Sequence, residues 1–142
     1  MLDLPFEMPF VKARYFKAIP DDPPRAVKLV VLHTTENFER AGTAMAIAKY
    51  FQSLMLGEDG KPRIASSHLC IDCKQVVQCV RFQDVAYGAP GTNRNGLHVE
   101  HVGFAKQTEE EWRDDFSLLE NIKELKFITT RRLRHLKLQS LL

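Results

Sequence analysis

The chain has 142 residues, 44% of them hydrophobic and 27% charged, which suits one globular domain and excludes a collagen-like, low-complexity or mainly disordered protein. Its net charge of +2 is too small for whole-protein binding to nucleic acid, and the basic cluster in residues 121–142 (Lys123, Lys126, Arg131, Arg132, Arg134 and Lys137 against Glu124) reads as a solvated helix end and loop. No run reaches the roughly 18 apolar residues of a membrane span. Met1-Leu2-Asp3-Leu4-Pro5 lacks the pattern of a signal peptide, and three cysteines are an odd number for a disulfide framework. The expectation is a reduced chain that is cytoplasmic on synthesis, with neither nucleic acid nor membrane as partner.

Residues 1–25 carry Pro5, Pro9, Pro20, Pro23 and Pro24, too many for a helix, and read as an extended arm. The β-branched run 26–33 reads as a buried strand that stops at Thr34-Thr35. From Thr43, a candidate cap, to Leu54 the spacing predicts a helix with Ile47, Tyr50, Phe51 and Leu54 on one face. Ser67–Ile71 and Val76–Val80 read as a hairpin around Asp72-Cys73-Lys74-Gln75, followed by a turn-rich loop over 88–96 and a strand over 97–104. Glu109–Lys126 reads as a long helix, acidic in its first turn, with a core stripe of Trp112, Phe116, Leu119, Ile122 and Leu125. Strands alternating with helices predict an α/β domain.

Three places carry chemistry. His33 ends the first strand on the same face as Val27, Leu29 and Val31, where α/β sheets often place their sites, although a strand-end histidine is more commonly structural. In the later strand, alternation puts His98, Glu100 and Val102 on one face and Leu97, Val99 and His101 on the other. A carboxylate inside an apolar strand must pair, face water or serve chemistry, and His98 beside it reads as a substrate contact or a solvent-facing neighbour. His68, Cys70 and Cys73 form His-x-Cys-x-x-Cys, but a structural zinc site needs four ligands and no second pair follows at the usual spacing. A small zinc or redox module on Cys70 and Cys73 is the weakest functional class.

In this order the segments Leu29-Val30-Val31-Leu32-His33-Thr34-Thr35-Glu36, Ser66-Ser67-His68-Leu69-Cys70-Ile71-Asp72, Val77-Gln78-Cys79-Val80, Asp84-Val85-Ala86-Tyr87-Gly88-Ala89-Pro90-Gly91 and Leu97-His98-Val99-Glu100 resemble the type 2 N-acetylmuramoyl-L-alanine amidase family, which includes phage endolysins and peptidoglycan recognition proteins. The resemblance spans about residues 11–138. It implies a mixed central β-sheet flanked by helices, one domain over 1–142, and a zinc ion held by two His and an Asp or Cys. It also implies hydrolysis of the amide between N-acetylmuramic acid and L-alanine in peptidoglycan. Carried over residue by residue, it makes His33 a zinc ligand, Glu100 the catalytic carboxylate, and Thr34, His68, Tyr87 and Asn93 contacts to the glycopeptide.

The chain departs from that pattern. The later Gly-His ligand segment and the Lys-x-Asp-Pro-Gly or Lys-x-Cys-Pro-Gly segment do not occur before Leu142, and His135 does not match the second ligand. Gly88 stands where many members carry His, and Ser67 where some carry a catalytic Tyr. The expectation is a truncated domain of impaired activity or, instead, recruitment of His98, His68 or His135 as a substitute ligand. A non-catalytic peptidoglycan-binding module is the alternative function. Loss of terminal elements would also expose a sheet edge or an apolar face.

Overall fold

The structure is a computed structural model that describes residues 8–38 and 40–114, with side chains to Glu111. Its elements are β1 (Leu29–Thr34), α1 (Thr43–Gln52), β2 (Leu69–Ile71), β3 (Val76–Gln78), β4 (Gly96–His101) and α2 (Glu109–Asp114). The four strands form one mixed sheet in the order β1-β4-β2-β3. β4 runs parallel to both β1 and β2, and β2 and β3 form the antiparallel hairpin that the turn chemistry predicts. Asp72 builds that turn by accepting from the Lys74 and Gln75 amides at 2.8 and 3.0 Å. The rest of the stripe expected from 116 to 125 lies outside the described residues, as does the Trp112 side chain.

Alternation along the strands sorts the core into two clusters. On one face Cys70 and Val77 meet Ala44, Ala48 and Phe51 of α1, with Met55, Cys79 and Val80. On the other, Leu69, Ile71, Val76, Leu97 and Val99 join Val27 and Phe82. Two expectations are corrected here. The packed face of α1 is Ala44, Ala48 and Phe51, while Tyr50 and Leu54 are exposed; small alanines let the helix backbone approach the sheet, and the larger residues are left on the outer side. Thr43 does not cap the helix. Gly42 does, in the left-handed conformation at φ 89°, and the Ala44 amide donates to Asp72 Oδ2 at 2.9 Å.

β1 is an edge strand among the described residues, not a strand buried on both faces. Leu29, Val30 and Leu32 are 47, 40 and 62% exposed, because β1 pairs only with β4 there. The arm runs extended along the opposite side of the sheet: Val11 and Ala13 amides donate to Gln78 and Cys79 carbonyls, and Lys17 pairs with Val85. It thereby protects the outer edge of β3.

Candidate active site

Register brings the site together. In the parallel β1–β4 ladder Val31 faces His98, and His33 faces Glu100. On the other flank of β4, Glu100 faces Cys70. His33, His98 and Glu100 therefore project from one face of the sheet, the face that also carries α1.

Glu100 lines an open cavity of about 750 Å³ with Thr34, Thr35, Phe38, Ile47, Tyr50 and Phe51. Burial pushes its carboxyl up to about 7, because the charged form loses water without gaining a cation in exchange. Such a group is half-ionised at neutral pH, a useful property in a general base. Thr34 lines the same cavity and donates its hydroxyl to Glu36 Oε1 at 2.7 Å. Glu36, at φ 54° in the left-handed region, also accepts from the Ala105 amide at 2.9 Å. It thus ties the loop after β1 to the loop after β4. Those bonds from Ala105 and Thr34 hold its carboxyl below the usual range. Phe38 is 74% exposed and meets Phe104 edge-to-face at 5.1 Å, placing an aromatic wall at the cavity.

Beside the cavity, three imidazoles form a column. His33 Nε2 lies 3.0 Å from His98 Nδ1, and the two rings stack at 5.3 Å. His98 in turn stacks on His68 at 6.0 Å, with planes 7° apart. Burial lowers the pKa of His33. Burial, with the charges of His33 and Arg25, lowers His98 to about 4, and burial lowers His68 to about 3. The column is therefore neutral at pH 7, the form in which imidazole ligates metals.

The three rings differ in what holds them. His68 is fully buried; its Nδ1 accepts from the His98 amide at 3.0 Å, which places its proton on Nε2, donated to the Asp84 carbonyl at 3.1 Å. Both nitrogens are engaged inside the protein, so the structure sets His68 behind His98 and leaves it no lone pair for a ligand. His98 is also fully buried, but its Nε2 has no hydrogen-bond partner. His33 is half-buried at the outer end.

The remaining expected residues are placed as follows. Asn93 Oδ1 accepts from the Gly88 and Ala89 amides at 3.1 and 2.8 Å, so its side chain shapes the loop. Tyr87 is half-buried, and its amide donates to Ser66 Oγ at 2.9 Å. Ser67 is buried and donates to the His98 carbonyl at 2.7 Å. Cys70 and Cys79 face each other at 3.6 Å between sulfurs.

Arg25 carried no signal in the sequence. Its buried guanidinium donates to the carbonyls of Phe82, Arg94 and Gly96 at 2.8, 3.0 and 3.1 Å, with Nη2 3.2 Å from His68 Nε2. It fastens the loop before β4 to the Phe82–Asp84 segment, which holds the inner end of the histidine column. Thr35 was also unanticipated: the residue lines the cavity, while its hydroxyl is buried with no hydrogen-bond partner.

The fold is shared with solved structures of low sequence identity. AmpD superposes with a TM-score of 0.60 at 17% identity, covering 95% of this chain and 79% of its own. A hydrolase from Staphylococcus aureus, AmiA, solved with its ligand, gives 0.58 at 15%, covering 94% and 58%. Peptidoglycan recognition protein-LE in complex with tracheal cytotoxin gives 0.55 at 16%, covering 90% and 74%. No curated protein sequence matches the chain significantly. The sequence of residues 23–133, most of the chain and the whole of the site just described, matches the N-acetylmuramoyl-L-alanine amidase family, and the chain belongs to it.

Proposed function

We propose that this chain is a zinc-dependent, endolysin-like hydrolase that cuts the amide between the lactyl group of N-acetylmuramic acid and L-alanine of the stem peptide. The observation that carries the reading is the β1–β4 register, which sets a half-ionised carboxyl, Glu100, next to a neutral imidazole, His33, beside a cavity with aromatic and hydroxyl walls. The substrate class is supported by the family match and by the diaminopimelic acid-type peptidoglycan fragment bound to peptidoglycan recognition protein-LE.

Family membership implies zinc, and the donor chemistry at this corner fits it: His33 is neutral, half-buried, and has its Nε2 turned toward a second imidazole nitrogen. When bound, zinc polarises the scissile carbonyl and acidifies a water. Glu100 takes the proton from the attacking water at a carboxylate oxygen and returns it to the departing L-alanine nitrogen. Thr34 offers its hydroxyl to the stem peptide, and Phe38 and Tyr50 cover the apolar side of the sugar or peptide. Occupation of the cavity by substrate displaces water from Glu100 and strengthens its interactions.

A second reading, a peptidoglycan-binding module without turnover, has one observation in its favour: no group of three or more His, Cys, Asp or Glu able to hold a metal ion is found among the described residues, and catalytic zinc normally takes three protein ligands. Incubation of purified cell walls separates the two. The amidase releases peptides with new amino-terminal L-alanine, at a rate that Glu100→Gln lowers by about 100-fold or more and a chelator abolishes. Binding to walls with no new amino termini would leave only the module.

A further inference from the structure

Resting on the amidase reading for the identity of the ion, we propose that His98 is the second zinc-holding residue of this chain, recruited from β4 into the space that Gly88 leaves open. His33 and His98, whose Nε2 and Nδ1 lie 3.0 Å apart, would hold the ion together.

The packing explains why residue 88 is glycine. A Cβ there would lie 2.6 Å from His98 Cγ, closer still to Nδ1, and 3.1 Å from His98 Cβ. The first two are closer than real Cβ contacts allow without something shifting, and the third is tight. The backbone at Gly88 is not in the left-handed region that favours glycine, so conformation does not demand it there. The imidazole of His98 does. On the far side of the ring, a Cβ at Gly96 would come 3.2 Å from Nε2 and 2.8 Å from the Thr92 carbonyl. Two glycines thus make the slot. The family resemblance expects an imidazole from position 88; in this chain the imidazole packed against that position comes from position 98.

Elimination points the same way. His68 has both nitrogens committed within the fold. His101 projects from the opposite face of β4, alternating with His98 and Glu100. Among the described residues, His98 brings a nitrogen to His33, at 3.0 Å; His135 lies outside them. Two nitrogens bound to one tetrahedral zinc at about 2.0–2.1 Å lie roughly 3.3 Å apart, so a small rotation of the half-buried His33 ring suffices. The proton now shared across the contact moves to the distal nitrogen of its own ring, and both imidazoles remain neutral.

Calorimetric titration of the full chain with zinc alone, without substrate, tests this independently of turnover. One ion per chain is expected, with affinity lowered at least tenfold by His33→Ala and by His98→Ala, and no further by the double variant. Gly88→Ala should weaken binding to a similar degree. Should His98→Ala fail to fold, imidazole nitrogen NMR of the parent protein decides the matter: zinc must move the His33 Nε2 and His98 Nδ1 resonances together. Unchanged affinity in a folded His98→Ala protein, a response confined to His33, or no zinc binding by the parent would each overturn the proposal. Failure to release L-alanine termini from walls, with zinc bound between the two histidines, would overturn the amidase reading alone.

Discussion

His33 and Glu100 face each other across the parallel β1–β4 ladder, yet burial acts on them in opposite senses, keeping the imidazole uncharged and the carboxyl protonated to about pH 7. The second effect has a cost. An unfolded Glu titrates near 4.5, so between pH 4.5 and about 7 the folded metal-free protein holds more protons than the unfolded one. Its unfolding free energy therefore falls as pH rises. The penalty is absent below about 4.5 and complete above about 7, on the order of 3 kcal/mol. Glu100→Gln should remove it. Urea unfolding is expected to show the variant more stable than the parent at pH 8 and little different at pH 4; a pH-independent difference would mean that the carboxyl is hydrated.

His68 gives the opposite slope on the acid side. Its folded pKa is about 3 against 6.5 unfolded, so below 6.5 the unfolded chain takes up a proton that the native state refuses. Stability from this group is complete above about 6.5 and is lost as pH falls toward 3, at about 1.4 kcal/mol per pH unit. His98, lowered to about 4, adds in the same direction. His68→Gln should flatten the dependence between pH 6 and 4.5 by about one proton even if it lowers stability at pH 7.5. An unchanged slope would show that His68 is hydrated in the native state.

Much of this arrangement was legible in the sequence, and the remainder was not for definite reasons. Alternation alone put His98 and Glu100 on one strand face, and turn chemistry located the hairpin at Asp72–Gln75. The mixed sheet expected from the resemblance is present. The meeting of His33 with His98 depends on β1 pairing with β4, a contact 65 residues apart in sequence, which no local pattern encodes. The α1 stripe was misassigned because hydrophobicity weighs Tyr50 and Leu54 above Ala44 and Ala48, whereas close packing on a sheet prefers the smaller residues. Gly88 did carry a signal. It is a glycine where the resemblance expects a histidine, and only the three-dimensional overlap ties that position to His98. The continuation of the 109–126 helix lies beyond the described residues.

Asp72 joins the hairpin to the helix that walls the cavity. Its carboxylate is fully buried and accepts from the amides of Ala44, Lys74 and Gln75. Asp72→Ala leaves those donors unsatisfied, at a cost of about 2–4 kcal/mol, and should lower Tm by roughly ten degrees. Asp72→Asn keeps one acceptor oxygen and should lose about half as much. Equal losses in the two variants would show that charge, and not the number of acceptors, is what α1 requires.

The cysteines provide a test of the remaining functional class, a metal or redox module on Cys70 and Cys73. Cys70 and Cys79 are fully buried. The Cys79 thiol, 3.6 Å away, and burial together hold the Cys70 thiol well above its usual range, which leaves little thiolate to react or ligate. Cys73 lies in the hairpin turn and is only partly buried. A disulfide reagent added to the native protein should therefore modify one thiol of the three present quickly, and mass spectrometry should place it at Cys73. The other two should follow only at the rate of unfolding, and adding urea should release them together. Rapid reaction of Cys70 in the native state, or protection of Cys73 by zinc, would revive the cysteine module; neither is expected where Cys70 is fully buried in the core with α1 and Cys73 is partly buried in the hairpin turn.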